Sequence, residues 1–498
     1  MAEYLTPGVY MEDIKSVVNM PTGTDPVAAF VGVTASGPVG VPTAISSWTD
    51  YLNIFATGQE TAFLANSYLA YAVYGFFQNG GRLCYITRVT KGTVSGSTVT
   101  FSSASAKTTG SDDFSKAFSA KSEGTWGNKI TVVIPKESVD ETTETFTVQV
   151  KYNNKVVETF TNLKKGVNVP NCFADIINSE SIYVSVTNVA AEAPLSTLKT
   201  SGASLAMSGG DDGLESSGAP VPDNVYEAVL TQFDYHEDIR LVAIPGASDD
   251  LTVKLATYCT GRKYVTAICE GQVTATDAQL QTLRANLNGT NAVLYAPWIK
   301  ITNPLSSSGS LIAVPVCGHV CGVYSRINET RGFWKAPAGT EATVRGAVAT
   351  QRIFTQSQTD ALDPKGINTI VSKTNSGICI WGARSCNEDL PYVSDLYTNL
   401  TIKKNLYDLT QRFVFEPHNT GLWTKVKATC QDYLNSLYER GAFCGDKTTD
   451  AYFVKCDETN NPESVRRQGK LVVEVGYATN KPAEFIVFRI SHELTNNA

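Results

Sequence analysis

Histidine is scarce in this chain: 498 residues carry four, His236, His319, His418 and His492. A serine-nucleophile triad needs a serine, a histidine base and an orienting carboxylate in contact. No Gly-x-Ser-x-Gly elbow or comparable serine turn stands in the sequence. Asp211 and Asp212 lie in the loop Gly209-Gly-Asp-Asp-Gly213, where Asp serves turn hydrogen bonding. That loop also lacks the Gly-Lys-Ser/Thr ending that holds phosphate and magnesium. The expectation is no catalytic residue and no cofactor. Charge is sparse as well, at 18% of residues and a net −7, the wrong sign for wholesale nucleic-acid binding. No block of like charge marks an interaction tail.

Long apolar runs are missing too. The most apolar stretch, 68–77, is about half of the ~20 residues that span a bilayer, so no membrane insertion is expected. No basic segment followed by an apolar run stands at the N-terminus, which predicts a soluble protein made in the cytoplasm. Eleven cysteines, an odd number scattered along the chain, read as reduced thiols. Cys317-Gly-His319-Val-Cys321 is the best metal candidate. Read as a strand, its alternate residues step about 6.6 Å along one face, too wide for one zinc. A structural zinc wants four ligands, and no second Cys/His cluster sits nearby. Buried cysteines in a packed strand, without metal, are the expected outcome.

What is present is patterned. The length predicts three or four domains, with 42% hydrophobic and 10% aromatic residues in the ordinary globular range. Both ends read as strands rather than tails. Pro7-Gly8 is flanked by Tyr4, Leu5, Val9, Tyr10 and Ile14, and Phe485, Ile486, Val487, Phe488, Arg489 and Ile490 alternate at strand period. Such ends want a sheet edge, and an edge on another copy would make the chain a building block.

Between the ends, 27–33 reads as a buried strand, 48–55 as a helix capped by Ser46 or Ser47, 61–78 as a longer helix stopped by Gly80-Gly81, and 82–89 as a returning strand. Half of residues 91–110 are Ser or Thr. Period-two runs at 129–134, 145–152 and 182–189 then predict an inserted β-sandwich. Short apolar runs at 241–244, 264–269 and 292–295 alternate with helical stretches at 251–262 and 277–288, an α/β layer with a parallel sheet. A strand ending in Trp381-Gly-Ala-Arg384 follows, then helices over 393–413 and 420–440 and a strand at 471–475. On the second helix Trp423, Val426, Cys430, Leu434 and Leu437 share one face, and Gly441 is its stop. No internal repeat is found. The fold class is therefore a multidomain α+β and α/β chain.

Several landmarks occur in a fixed order. They are Tyr4-Leu-Thr-Pro-Gly-Val-Tyr10-Met-Glu-Asp, Ser47-Trp48 with Tyr51, Phe76-Phe77-Gln-Asn79-Gly80-Gly81-Arg82, Gly124-Thr-Trp126-Gly-Asn128, Gly209 to Gly213, Ala336-Pro-Ala-Gly339 and Trp381-Gly-Ala-Arg384. The ordered set resembles the contractile-tail sheath proteins of bacteriophages, tailocins and related contractile injection systems. It departs from them at the cysteines of 317–321, where small residues are expected, and at Lys403-Lys404, where arginines are common.

The resemblance implies a tail-sheath fold. It would comprise an N-terminal arm (1–26), a β-α-α-β part of the core (27–91), an outward-facing inserted β-sandwich (92–204), a non-catalytic domain called subtilisin-like for its fold (205–340), a mixed α+β C-terminal domain facing the tube (341–482) and a strand arm (483–498). It implies a structural subunit rather than an enzyme, forming stacked hexameric rings around an inner tail tube, with exchange of the terminal strands. The implied partners are further copies of the chain, the inner tube protein, and baseplate and tail terminator proteins, with no direct nucleic-acid contact. The implied location is the host bacterial cytoplasm during assembly, then the virion tail or injection particle. Lys403, Lys404, Lys425 and Lys427 are candidate tube contacts, with a solvated helix face as the alternative. A hydrolase built on the α/β layer, or a surface adhesion protein with a Ser/Thr-rich insertion, stay open as other readings.

Overall fold

A computed structural model describes residues 26–65, 67–96, 98–109, 116–166, 169–186, 195–214, 220–482 and 484. Contacts divide these residues into two compact units, one formed by 25–401 with 480–484 and one by Ile402–Thr479.

The larger unit is organised by an eight-stranded sheet. In spatial order its strands are Thr43–Ile45, Cys84–Arg88, Val27–Gly32, Ile239–Ala243, Thr266–Glu270, Ala292–Ala296, Ile367–Lys373 and Gly377–Ile380. The six inner strands run parallel, and the two edge strands are antiparallel. Parallel strands covered on both faces need near-continuous apolar runs, which Thr266–Glu270 and Ala292–Ala296 supply, each buried throughout. Helices Asp249–Gly261 and Asp277–Asn286 return the chain between strands. Ser248 caps the first by accepting from the Leu251 N–H (3.0 Å), and Thr276 and Gln279 close a capping box on the second. The core on this side gathers Ala29, Val242, Leu255, Leu280, Leu294 and Ile367. Since Ile367–Lys373 pairs with Ala292–Ala296, the sheet runs past the boundary expected near residue 340.

Helix Trp48–Phe55 starts at Ser47, whose hydroxyl accepts from the Asp50 N–H (3.1 Å). The second helix is shorter than the sequence predicts, Leu69–Gln78 rather than 61–78. Thr61 accepts from the Phe63 N–H and Ser67 donates to the Val33 carbonyl (2.7 Å), and such local bonds compete with the helical ladder.

In the inserted segment Gly92–Ser95 and Thr98–Phe101 form a separate hairpin, and seven further strands pair in the order Lys155–Lys164, Thr145–Tyr152, Ile130–Ile134, Ala203–Ser208, Lys107–Thr108, Phe118–Ala120 and Val184–Val186. Ala203–Ser208 bridges both halves, so the insertion extends beyond residue 204. Phe118, Trp126, Val132, Phe146, Phe160 and Phe173 form its core, the last from helix Phe173–Glu180. The strand expected over 182–189 is Val184–Val186 among the described residues. The Glu158 carboxylate takes the Ser181 hydroxyl (2.7 Å) and the Ile182 N–H (2.9 Å) just before it.

In the smaller unit, helix Thr420–Glu439 buries Trp423, Val426, Cys430, Leu434 and Leu437 along one face and ends before Gly441 (φ 81°). Strands Tyr452–Lys455 and Glu474–Tyr477 form a two-stranded antiparallel sheet. The second lies later than the expected 471–475, because buried Asn461 binds both backbone groups of Val472 (2.7 and 2.9 Å).

Candidate functional sites

The expected strand-exchange residues Tyr4, Leu5, Val9, Tyr10, Ile14, Phe485, Ile486, Val487, Phe488 and Ile490 lie outside the described residues. The lysines divide. Lys403 and Lys425 are exposed, and Lys427 is half-buried. Lys404 is only 4% exposed, with its ammonium on Asp408 one turn along and 5.1 Å from the Tyr407 ring. It stands on the inner side of helix Val393–Thr410, which leaves it no surface to offer as a tube contact.

The 3-10 turn Gln411–Phe413 completes the helical stretch expected over 393–413, and a loop over 414–419 leads to the next helix. That loop carries a side chain the sequence reading missed. Phe415 is 102% exposed at φ 70°, next to exposed Val414 and Arg412.

The residues of the enzyme reading do not converge. His319 is buried and its Nδ1 has no partner; burial pushes it down to about 4, so it is neutral near pH 7. His236 packs on Tyr85 and His418 on Trp423, and His492 lies outside the described residues. Asp211 accepts from the Gly213 N–H (2.8 Å), an ordinary turn bond.

Asp212 instead joins two of the sequence landmarks. Its carboxylate accepts from the Thr125 N–H (2.9 Å) and hydroxyl (2.6 Å). The Asn128 amide donates to the Gly210 carbonyl (2.9 Å) and accepts from the Gly210 N–H (2.8 Å). A Cβ at Gly210 would lie 2.4 Å from the Gly124 carbonyl oxygen, so the loops meet backbone to backbone. Beneath them Arg88 is fully buried, donating to the Gly37 (2.9 Å) and Glu123 (2.7 Å) carbonyls, with Asp212 at 3.9 Å. Burial pulls this guanidinium down to about 10, and the nearby Asp212 and Glu123 charges oppose that fall. The arrangement ties the segments 124–128 and 209–213 to each other and to Arg88, the last residue of a host-sheet strand.

Cys317-Gly-His319-Val-Cys321 is not a strand. It opens helix Cys317–Arg331, which crosses Leu69–Gln78 at close range. A Cβ at Gly318 would lie 2.2 Å from the Ala72 carbonyl oxygen, and one at Gly75 2.3 Å from the His319 ring. Among the described residues no group of three or more His, Cys, Asp or Glu could hold a metal ion.

At the start of this helix, buried Glu270 accepts from the Gly246 (2.9 Å) and Cys317 (3.1 Å) N–H groups. Burial raises its carboxyl to about 7 against the opposing pull of those bonds. Because the folded value lies above the unfolded one, this group's stabilisation is full below about pH 4.5 and is lost as pH rises through about 7. His319, lowered by burial, acts oppositely and loses stability as pH falls from about 6.5 toward 4. Relative to its parent, Glu270→Gln is therefore expected to gain stability between about pH 4.5 and 7, on the order of 3 kcal/mol, and to hold the gain above that. Parallel melts across that range check it; an equal difference at every pH would refute the ionisation.

Two other landmarks share a wall. Trp334, Ala336 and Gly339 face Trp381 and Arg384 across a groove of about 940 Å³ that also takes in Glu484. Arg384 pairs with Glu484 (2.6 Å), and Lys481 with buried Asp395 (2.6 Å). The chain leading to the C-terminal arm is thus pinned at two points.

Comparison with known proteins bears on what these sites serve. Residues 223–386 match the family described as the phage tail sheath protein central domain. The tail sheath protein of Burkholderia phage BcepMu is 23% identical over 220 residues, 42% of this chain and 44% of that protein. The tail sheath protein of Vibrio phage KVP40 is 25% identical over 179 residues, 35% and 26% of the two chains. The chain thus spans less than half the length of these curated relatives. The fold matches the helical sheath of the anti-feeding prophage in its contracted state with a TM-score of 0.59 at 20% identity, over 99% of this chain and 100% of that one. The chain is similar to contractile-tail sheath proteins, in sequence through its centre and in fold along its length. The matched central domain begins at the helix Asp223–Leu230 and ends at Cys386, just beyond Trp381-Gly-Ala-Arg384.

Proposed function

We propose that this chain is the structural, non-enzymatic subunit of a contractile tail sheath. Copies stack as hexameric rings around an inner tail tube, and tighter packing of the rings drives the tube through a cell envelope. The observation that carries the reading is the likeness in fold, over nearly the whole chain, to a helical sheath in its contracted state. The central sheet would correspond to the subtilisin-like domain. The terminal arms would join neighbouring copies by strand addition. The sheet Tyr452–Lys455 with Glu474–Tyr477 supports such a link, because neither strand has a further strand partner among the described residues and Phe453 is half exposed. A lone two-stranded sheet is marginal in water. The inner tube, baseplate and terminator proteins would be the remaining partners, and a phage tail or injection particle assembled in the bacterial cytoplasm the setting. Lys403, Lys425 and Lys427 remain candidates to meet an acidic tube.

The purified protein, concentrated without tube, is expected to form long hollow polymers under electron microscopy. A monodisperse monomer at high concentration would overturn the proposal.

A further inference from the structure

Two of the most exposed large apolar side chains sit in loops of opposite charge. Phe415, at 102% exposure, tops the loop between two helices. Residues 403–427 around it carry five Lys or Arg against two Asp or Glu. Asp408 is occupied by Lys404, while Lys403, Arg412 and Lys425 stand exposed. Phe415 also holds a left-handed backbone, φ 70°, which costs a non-glycine residue about 1 kcal/mol or more. The strain is spent on turning an aromatic ring into water.

Tyr235, at 82% exposure, stands in Asp234-Tyr-His-Glu-Asp238. Residues 223–238 hold five carboxylates and no Lys or Arg. Asp234 is shared with Arg262 (3.6 Å) and Glu227 with Lys254 (2.8 Å), so the loop is acidic but partly balanced. A cationic aromatic knob and an anionic aromatic loop on one acidic chain are complementary in sign and in apolar content.

We infer that the Phe415 loop of one copy docks on the Asp234–Asp238 loop of a second copy. The contact is heterologous, with different surfaces on the two copies, and such contacts propagate into rings or open helices rather than closed dimers. It rests on the proposed polymeric function but is separate from arm exchange. It also explains why a solvated protein leaves Phe415 bare: the ring is covered only in the assembly.

The test mixes two single-cysteine-pair partners. Ten of the eleven native cysteines are buried and only Cys444 is exposed, so both partners carry Cys444→Ser. One also carries Phe415→Cys and the other Tyr235→Cys. Under copper-phenanthroline oxidation, polymers of the mixture are expected to give a disulfide-linked dimer that neither partner gives alone. In parallel, Phe415→Asp should raise the concentration needed for polymerisation about tenfold or more, as loss of an interface anchor does, with unchanged melting of the monomer. Polymers that form without the cross-copy disulfide overturn the contact, as does Phe415→Asp polymerising like its parent. If Phe415→Cys couples only to added tube protein, the knob serves the tube and the inference is wrong. Failure of the parent to polymerise at all overturns the proposed function itself, and this contact with it.

Discussion

Removing residues 1–20 or 485–498 is expected to abolish polymerisation while leaving the melting of the subunit almost unchanged. The C-terminal cut is placed after Glu484 deliberately. Glu484 holds Arg384, and Lys481 holds the buried carboxylate of Asp395, so a cut before them would disturb the body as well as the arm. Beyond that point Ile486, Phe488 and Ile490 alternate with Phe485, Val487 and Arg489. A strand of about five or six residues gains about 0.5–1.5 kcal/mol net per backbone hydrogen bond. Each large apolar side chain it buries adds about 1.5–3 kcal/mol. Ordering the arm costs about 1–2 kcal/mol per residue, so a single link is only modestly favourable. A lattice repeats that link at every subunit, and its loss is therefore decisive for the polymer. The two apolar clusters described in the larger unit, around Val242 and around Phe146, are built from residues of the body. Negative-stain imaging with thermal melting of both truncations is the measurement. Normal tubes from both would end the arm-exchange reading, and a collapsed melting transition would show that the arms belong to their own body.

Much of the architecture was legible because its signals were local. Ser47, Ser248 and Thr276 stand where side-chain oxygens cap backbone N–H groups, and the strand-helix alternation from 239 to 296 announced a parallel sheet. The apolar face of Thr420–Glu439 followed from spacing alone. What was not legible depends on distant partners. Nothing near residue 461 says that Asn461 will capture Val472 and delay the last strand. Asp211-Asp212 reads as a turn, and only the fold reveals that Asp212 reaches Thr125, 87 positions away in sequence. The β-rich character of the insertion followed from alternation, but alternation does not show that Ala203–Ser208 pairs with both Ile130–Ile134 and Lys107–Thr108. Lys404 and Lys403 are indistinguishable in sequence, and a rotation of about 100° per residue along the helix separates the buried one from the exposed one. Phe415 was hidden by its surroundings, since an aromatic after a helix is ordinarily read as core.

Substituting Gly318 is expected to be the most damaging single change in the larger unit, and Gly318→Leu to prevent soluble folding altogether. The segment 317–321 was misread as a strand for a physical reason. Glycines at 318 and 322 cost a helix about 1 kcal/mol each relative to alanine, and a helix buried on all sides lacks the apolar stripe that marks an amphipathic one. Cys317 to Ser325 is buried without interruption, so the periodicity had nothing to report. The glycines are needed for the crossing with Leu69–Gln78. At Gly318 a Cβ would sit 2.2, 2.4 and 2.5 Å from the carbonyl oxygen, Cα and carbonyl carbon of Ala72. Those atoms are backbone and cannot swing aside as a side-chain tip can. Gly322 meets the Phe76 carbonyl oxygen at 2.4 Å, so relief at one site cannot be taken by sliding toward the other. Overpacking a core costs about 1–3 kcal/mol and occasionally more. Gly318→Ala should therefore fall at or above the top of that range, because the two helices must separate along their whole contact. Gly261 provides the control. It ends helix Asp249–Gly261, and a Cβ there meets nothing within 4 Å, so Gly261→Ala should be neutral or stabilising by about 0.5–1 kcal/mol. Soluble yield and thermal melting of the two alanine variants, side by side, decide the matter. If Gly318→Ala melts with its parent, the helices are not held at this distance, and the close crossing cannot be what excludes larger residues from 317–321.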